Sequence, residues 1–144
     1  MRDILFKAKR IDNGEWVEGY YAVAIDKRGL KQHNILVADH HLGYFKWFVI
    51  DEKTLCQYTC LTDKNGNKIW ENDVVKYHFG DDVATIKFGR YQSCFDSQKT
   101  CHVGFFVDWQ KGYMRKDLGY WVEMIDCNII GNIFDNPELI GGDA

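Results

Sequence analysis

The sequence predicts an all-β protein, and three observations carry that prediction. Apolar and polar residues alternate in short runs such as Ile4–Lys9 and Gln57–Leu61, the period-two pattern of a half-buried strand. Turn formers punctuate those runs: Asn13-Gly14 and Asn65-Gly66 stand among 13 glycines spread along 144 residues, and Asn-Gly is the strongest short-range hairpin signal. No stretch sustains a helical period, while Val, Ile, Tyr, Phe and Trp recur in blocks, as strands prefer.

Taken in order, Ile4–Lys9 reads as a first strand, Asn13-Gly14 as its hairpin turn and Trp16–Val23 as the return strand. Lys27-Arg28-Gly29 is a turn, and strands follow at about residues 34–37 and 44–50. Asp51–Leu55 is the softest point for a boundary. Gln57–Leu61 is a strand, and Asp63-Lys64-Asn65-Gly66 gathers residues that reverse a chain at low steric cost. Ile69-Trp70-Glu71 is too short for a helix and reads as a single turn. Asn72 suits a left-handed corner, from which Asp73–Phe79 runs as a strand. After the turn Gly80-Asp81-Asp82, Val83–Phe88 is a strand stopped by Gly89. Residues 90–102 are polar and irregular, a candidate loop. Val103–Trp109 is the most apolar strand, turned by Gln110-Lys111-Gly112. Residues 118–125 fit either a strand or a short helical turn, and Asn128–Phe134 is the last strand before Asn136-Pro137. The expected organisation is an N-terminal β-hairpin or meander region over 1–54, joined to a small SH3-like β-barrel over 55–140. A tail at 141–144 is expected to fray.

Composition narrows the classes. A chain with 46% hydrophobic and 15% aromatic residues can build a core, so wholesale disorder is not expected. The net charge is −3; residues 1–56 hold nine Lys+Arg against eight Asp+Glu, and residues 57–144 nine against thirteen. Neither part has the basic balance of a dedicated nucleic-acid binder. No apolar run approaches the ~20 residues of a membrane helix. The start, Arg2-Asp3, lacks the apolar core of a signal peptide. A cytoplasmic location without membrane association is expected, and the five cysteines are expected to stay thiols there.

The block from residue 57 to 75 also carries a resemblance. Gln57, Tyr58, Thr59, Leu61, Asp63, Gly66, Ile69, Glu71, Asp73 and Val75 fit a pattern that runs Gln-Tyr-Thr-Gly-Leu, Asp, Gly, Ile-(Tyr/Phe)-Glu-Gly-Asp-(Ile/Val)-Val. It resembles the signature of the YopX-like family, small proteins of bacterial phages and prophages. Phe6–Arg10 with Asn13–Val17 is similar to that family's opening hairpin, Arg115–Trp121 has the look of its members, and Ile129–Leu139 is similar to its closing motif. Trp70 replaces the usual Tyr or Phe, and Cys60 and Asn72 stand where glycines are usual. Asn enters the left-handed region readily; Cys does not, so the backbone at residue 60 is expected to differ from the family's. The resemblance runs from about Leu5 to Ile140 and implies a phage or prophage origin. It implies no activity.

Candidate chemistry is sparse. Cys56 and Cys60 lie four apart on a strand, and Cys101-His102 is a further sulfur and nitrogen pair. Cys94 and Cys101 are too far apart to complete a zinc-type set, so structural thiols are expected, with Cys127 among them. His40-His41 falls in a loop, and His78 and His102 lie near strands with Cys neighbours. A Cys–His pair works only if the fold brings the two within hydrogen-bond reach and lowers the thiol pKa, so solvated or structural histidines are expected. Glu71 and Asp73 read as carboxylates that hold a corner closed by accepting backbone N–H bonds. Trp109, Lys111, Tyr113, Arg115 and Lys116 interleave aromatic and basic residues, with Tyr120 and Trp121 nearby, a composition suited to base stacking and phosphate contact. The expected role is a non-catalytic phage or prophage accessory protein that binds an unknown host or phage protein and uses no cofactor or metal. The alternatives are a nucleic-acid-binding β-barrel using the 109–116 region, and a homo-oligomeric structural protein.

Overall fold

The computed structural model describes residues 1–77, 80–109 and 115–141. The chain divides into two compact units, Met1–Tyr58 and Thr59–Ala144.

The first unit is an antiparallel meander. Strand β1, Phe6–Lys9, pairs with β2, Trp16–Ile25, which pairs with β3, Lys31–Asp39, which pairs with β4, Tyr44–Val49. Strand β5, Cys56–Thr62, begins in this unit, where Cys56 and Gln57 pair with Lys7 and Phe6 on the other side of β1. The Asn13-Gly14 turn closes as its residues predict. Gly14 has φ +72° and its N–H donates to the Arg10 carbonyl at 2.9 Å, while the Asn13 side chain accepts from the Glu15 N–H at 2.9 Å. One face of the meander meets the core of Ala8, Ile35 and Ile50, flanked by Phe6, Val17, Tyr21, Val37 and Leu55. A helical turn, Glu52–Thr54, follows β4; the Asp51 side chain caps it by accepting from the Lys53 N–H.

In the second unit β6, Lys68–Trp70, β7, Asp73–Tyr77, β8, Val83–Tyr91, β9, His102–Trp109, and β10, Cys127–Asn132, are the described strands. Four of them form an antiparallel sheet in the order β10-β7-β8-β9. Among the described residues neither sheet closes on itself, so the observed architecture is β-rich and open-sheeted. Ile69, Val75, Ala84, Ile86, Val107 and Trp109 form the core, over which Leu118 and Trp121 pack from the segment between β9 and β10. That segment is helical: Leu118–Tyr120 makes one turn and Trp121–Ile125 continues as a wider one.

Several expectations change. Ile69 and Trp70 are strand residues, both buried, because two apolar side chains gain more from the core than a solvated turn would offer. Strand β8 continues through Gly89, where φ is 158°, to Tyr91, since its partner β9 continues the ladder from Gly104 to His102. The polar loop therefore shrinks to residues 92–101. The last strand ends at Asn132, whose side chain accepts from the N–H groups of Phe134 and Asp135 and turns the chain. Asn72 takes its left-handed corner at φ +71°, and so does Cys60 at φ +69°. The backbone at residue 60 thus adopts the conformation that a glycine would favour, the reverse of the expectation, and the cysteine bears the steric cost. The expected continuation of β7 through His78 and Phe79, the Gln110–Gly112 turn and the tail beyond Gly141 lie outside the described residues.

Candidate binding surface

The signature block explains itself locally. Asp63 Oδ1 accepts from the N–H groups of Asn65 and Asn67 at 2.9 and 2.8 Å, closing the turn around Gly66. Buried Asp73 accepts from the Trp70 N–H at 2.8 Å and holds the β6–β7 corner. Thr59 donates its hydroxyl to the Ile69 carbonyl at 2.7 Å. In the closing motif, a Cβ on Gly131 would lie 2.4 Å from Asn136 Oδ1, so any larger residue there forces the Asn136 side chain to shift. Each motif side chain named here serves the backbone.

Among the described residues expected to touch nucleic acid, Trp109 lies in the core, Arg115 is exposed and Lys116 is half-buried. Trp109 is a core residue, 3% exposed, with Tyr77 and Trp121 ring centroids 5.5 and 4.7 Å away. It offers no face to a base. Its place opposite Ala84 in the ladder puts it on the buried face, which the alternation of one strand alone does not reveal. Lys111 and Tyr113 lie outside the described residues. Arg115 donates through Nε to Asp117 at 2.6 Å and stacks over Tyr120 at 4.4 Å. Burial pushes the Asp117 carboxyl up, but hydrogen bonds from Arg115 and Ser93 outweigh it and hold it below the usual aspartate range. Lys116 lies over Phe106, 5.9 Å from its centroid. With Arg90, Tyr91, Gln92 and Cys101, Lys116 lines an open cleft of about 440 Å³.

Beside that cleft the 92–101 segment is tied down by its own polar groups. Ser93 Oγ donates to Asp117 at 3.0 Å and accepts from the Lys116 N–H. Asp96 accepts from the Ser93 N–H at 2.8 Å and pairs with His102 at 3.0 Å. Buried Ser93, held by a carboxylate and with no imidazole on its hydroxyl, is a structural tie. The five cysteines are thiols. Cys94 and Cys101 are exposed, and Arg90 Nε donates to Cys101 Sγ at 3.3 Å. Burial pushes the Cys127 thiol up to about 12, which makes it a poor nucleophile at neutral pH. Among the described residues no three His, Cys, Asp or Glu side chains gather where a metal would need them.

The surface with the most to offer lies in the first unit. Cross-strand partners share a face, and the register sets Tyr20, Leu36 and Trp47 in one row across β2, β3 and β4. Ala22, Asn34 and Val49 make the next row, in which Asn34 is buried, and Ala38 with Phe45 flanks the first. This is the face turned away from the Ala8–Ile35–Ile50 core. Tyr20 is 52% exposed, Phe45 43%, Trp47 56% and Val49 39%, and the Tyr20 and Phe45 rings meet edge to face at 5.9 Å. An aromatic side chain presents about 150–250 Å², so each of these rings leaves on the order of 100 Å² in water. The whole patch approaches the few hundred Å² beyond which exposed apolar surface marks an interaction site. At its β1 margin, Lys7 and Lys9 lie over the Trp16 ring, 4.7 and 5.5 Å from its centroid. Composition concealed this face, but the Tyr44–Val49 run did carry a signal. It is apolar at both alternations, Phe45 and Trp47 on one side and Tyr44 and Phe48 on the other, more than a strand with one wet face requires.

No helix among the described residues is long and apolar enough to cross a membrane. A search of curated proteins finds no match. A family model described as YopX protein matches residues 5–141, a span that takes in the opening hairpin, the corner block and the closing motif. By that match over nearly its whole length, the chain belongs to the YopX family.

Proposed function

We propose that this YopX-family chain is a non-catalytic binding module, an accessory protein of a phage or prophage, whose working surface is the exposed Tyr20–Leu36–Trp47 face. One observation carries the reading: aromatic side chains in adjacent rows remain in water on a sheet whose other face already has a core. Water-exposed aromatic rings are the groups that dominate protein–protein hot spots, so the partner is a host or phage protein. The SH3-like arrangement of residues 55–140 and work in the cytoplasm belong to the same proposal. In this reading the second unit is the frame that the corner block and the closing motif build.

The test is capture of partners from host lysate by tagged protein, with and without nuclease, comparing wild type with Tyr20→Ser and Trp47→Ser. Capture that survives nuclease and is lost in both variants supports the reading. Capture unchanged in the variants removes the face from consideration, and turnover of a substrate by the pure protein would overturn the non-catalytic part.

The Arg90–Lys116 cleft favours a second reading, nucleic-acid binding by the second unit, since it sets two cations beside Tyr91. Phosphate contacts release counterions, so such binding weakens steeply with salt. Affinity unchanged in Arg90→Ala combined with Lys116→Ala would remove it. A homo-oligomer would use the aromatic face instead, and light scattering behind size exclusion reads that directly.

A further inference from the structure

The aromatic face ends at a sheet edge, and among the described residues that edge is half used. The Ile50 N–H donates to the His33 carbonyl on β3 at 3.0 Å. Backbone groups along a strand alternate in direction, so those of Tyr44, Lys46 and Phe48 point to β3 and those of Phe45, Trp47, Val49 and Asp51 point away. The last two are taken: Val49 accepts from the Ile11 N–H at 3.1 Å, and the Asp51 N–H donates to the Lys9 carbonyl at 2.9 Å. The chain lays its own backbone along that half of the edge. Phe45 and Trp47 occupy the other half, at the end of the strand order. A cleft of about 350 Å³, lined by Arg10, Ile11, Asp12, Trp47, Phe48 and Val49, lies where the two halves meet.

We propose that Tyr44–Phe48 is a β-augmentation site, where an extended segment of the partner protein adds as a strand beside β4. This inference rests on the reading above and names how the partner engages. An added strand pairs with the N–H and C=O groups of Phe45 and Trp47, as β-augmenting peptides do. Its residues opposite Phe45 and Trp47 extend the aromatic face, so they are apolar. The residue between them falls opposite Lys46, on the other face, where Lys46 pairs with Asp39 at 3.2 Å and keeps 54% of its side chain in water. A carboxylate fits there. The recognised segment is therefore apolar–acidic–apolar. Lys46 also argues against a second copy of this chain as occupant. A two-fold pairing that uses the whole open stretch centres on Lys46 and sets it against Lys46 of the other copy, and like charges directly opposite are destabilising.

The experiment uses the full chain and two synthetic peptides, one alternating valine with glutamate and one alternating valine with lysine. Hydrogen exchange and amide shifts are read residue by residue. The glutamate peptide should slow exchange at Phe45 and Trp47 while the β3–β4 ladder amides stay as they were. It should bind a few-fold more tightly than the lysine peptide, a preference that Lys46→Glu reverses. Phe45→Pro deletes an outward N–H and leaves the ladder intact, so it should weaken binding about tenfold beyond Phe45→Ala, the worth of roughly one hydrogen bond. No protection of Phe45 and Trp47 by either peptide would overturn the proposal. So would equal binding by the Pro and Ala variants, or protection that grows with protein concentration alone, which would place a second copy on the edge. If Trp47→Ser still abolishes lysate capture while those amides stay unprotected, the aromatic face stands as the binding surface and the edge proposal falls.

Discussion

The two sheets are built from similar residues and end up differently dressed. In the second unit, the face carrying Ala84, Ile86, Val107 and Trp109 is covered by Leu118 and Trp121 from the helical segment between β9 and β10. In the first unit, Tyr20, Phe45 and Trp47 on the outer face remain in water. The tryptophans make the comparison concrete: Trp121 is 6% exposed and Trp47 56%. Aromatic content alone does not decide whether a strand serves the core or a partner. The decision falls to whether the chain supplies an element to lie over it.

The sharpest way to break that comparison is to truncate both rings. Trp121→Ala should cost about 3–5 kcal/mol in chemical denaturation, the usual penalty for emptying a core tryptophan site, whereas Trp47→Ala should cost under about 1 kcal/mol, as surface substitutions do. Equal penalties would mean that the outer face of β2–β4 is structural after all.

Cys127 gives the next effect, through pH. Its thiol pKa is raised to about 12 from 9.0 by burial, so the folded state binds the proton more tightly than the unfolded chain. The stabilisation is complete below about pH 9 and is lost as pH rises towards 12. At ~1.4 kcal/mol per unit, wild type should lose on the order of 4 kcal/mol across that window relative to Cys127→Ala. Parallel stability–pH curves for the two proteins would remove the thiol as the cause.

A smaller effect tests the corner. Asp73→Ala leaves the Trp70 N–H without the carboxylate that accepts it, and should cost about 1–3 kcal/mol by urea midpoint; a neutral result would mean that the corner holds without its carboxylate. Smallest of all, Cys60→Gly should stabilise the protein by roughly 1 kcal/mol, because left-handed backbone strains residues with a Cβ. A loss of stability there would mean that the side chain of Cys60 contributes more than its conformation costs.

Where the chain turns was legible, because turn chemistry is local. Asn13-Gly14, Asn65-Gly66 and Asn72 each bend the chain through φ values their own types permit. Boundaries were less legible. Gly89 looked like a stop, yet β8 runs on because β9 keeps a partner beside it, and pairing is not written at the residue itself. The site was least legible. The basic and aromatic run at 109–116 drew notice by composition, although Trp109 belongs to the core. The exposed face is assembled from Tyr20, Leu36, Phe45 and Trp47 on three different strands, which no window of sequence brings together.

Sequence by itself determined the β class, the turns and the family, since period-two patterning, positive-φ residues and motif spacing act over a few residues. Tertiary structure alone decided which apolar faces are covered and which edge is open. Both depend on the register between strands far apart in the chain, and on which backbone lies alongside, as that of Lys9–Ile11 does along the far half of β4.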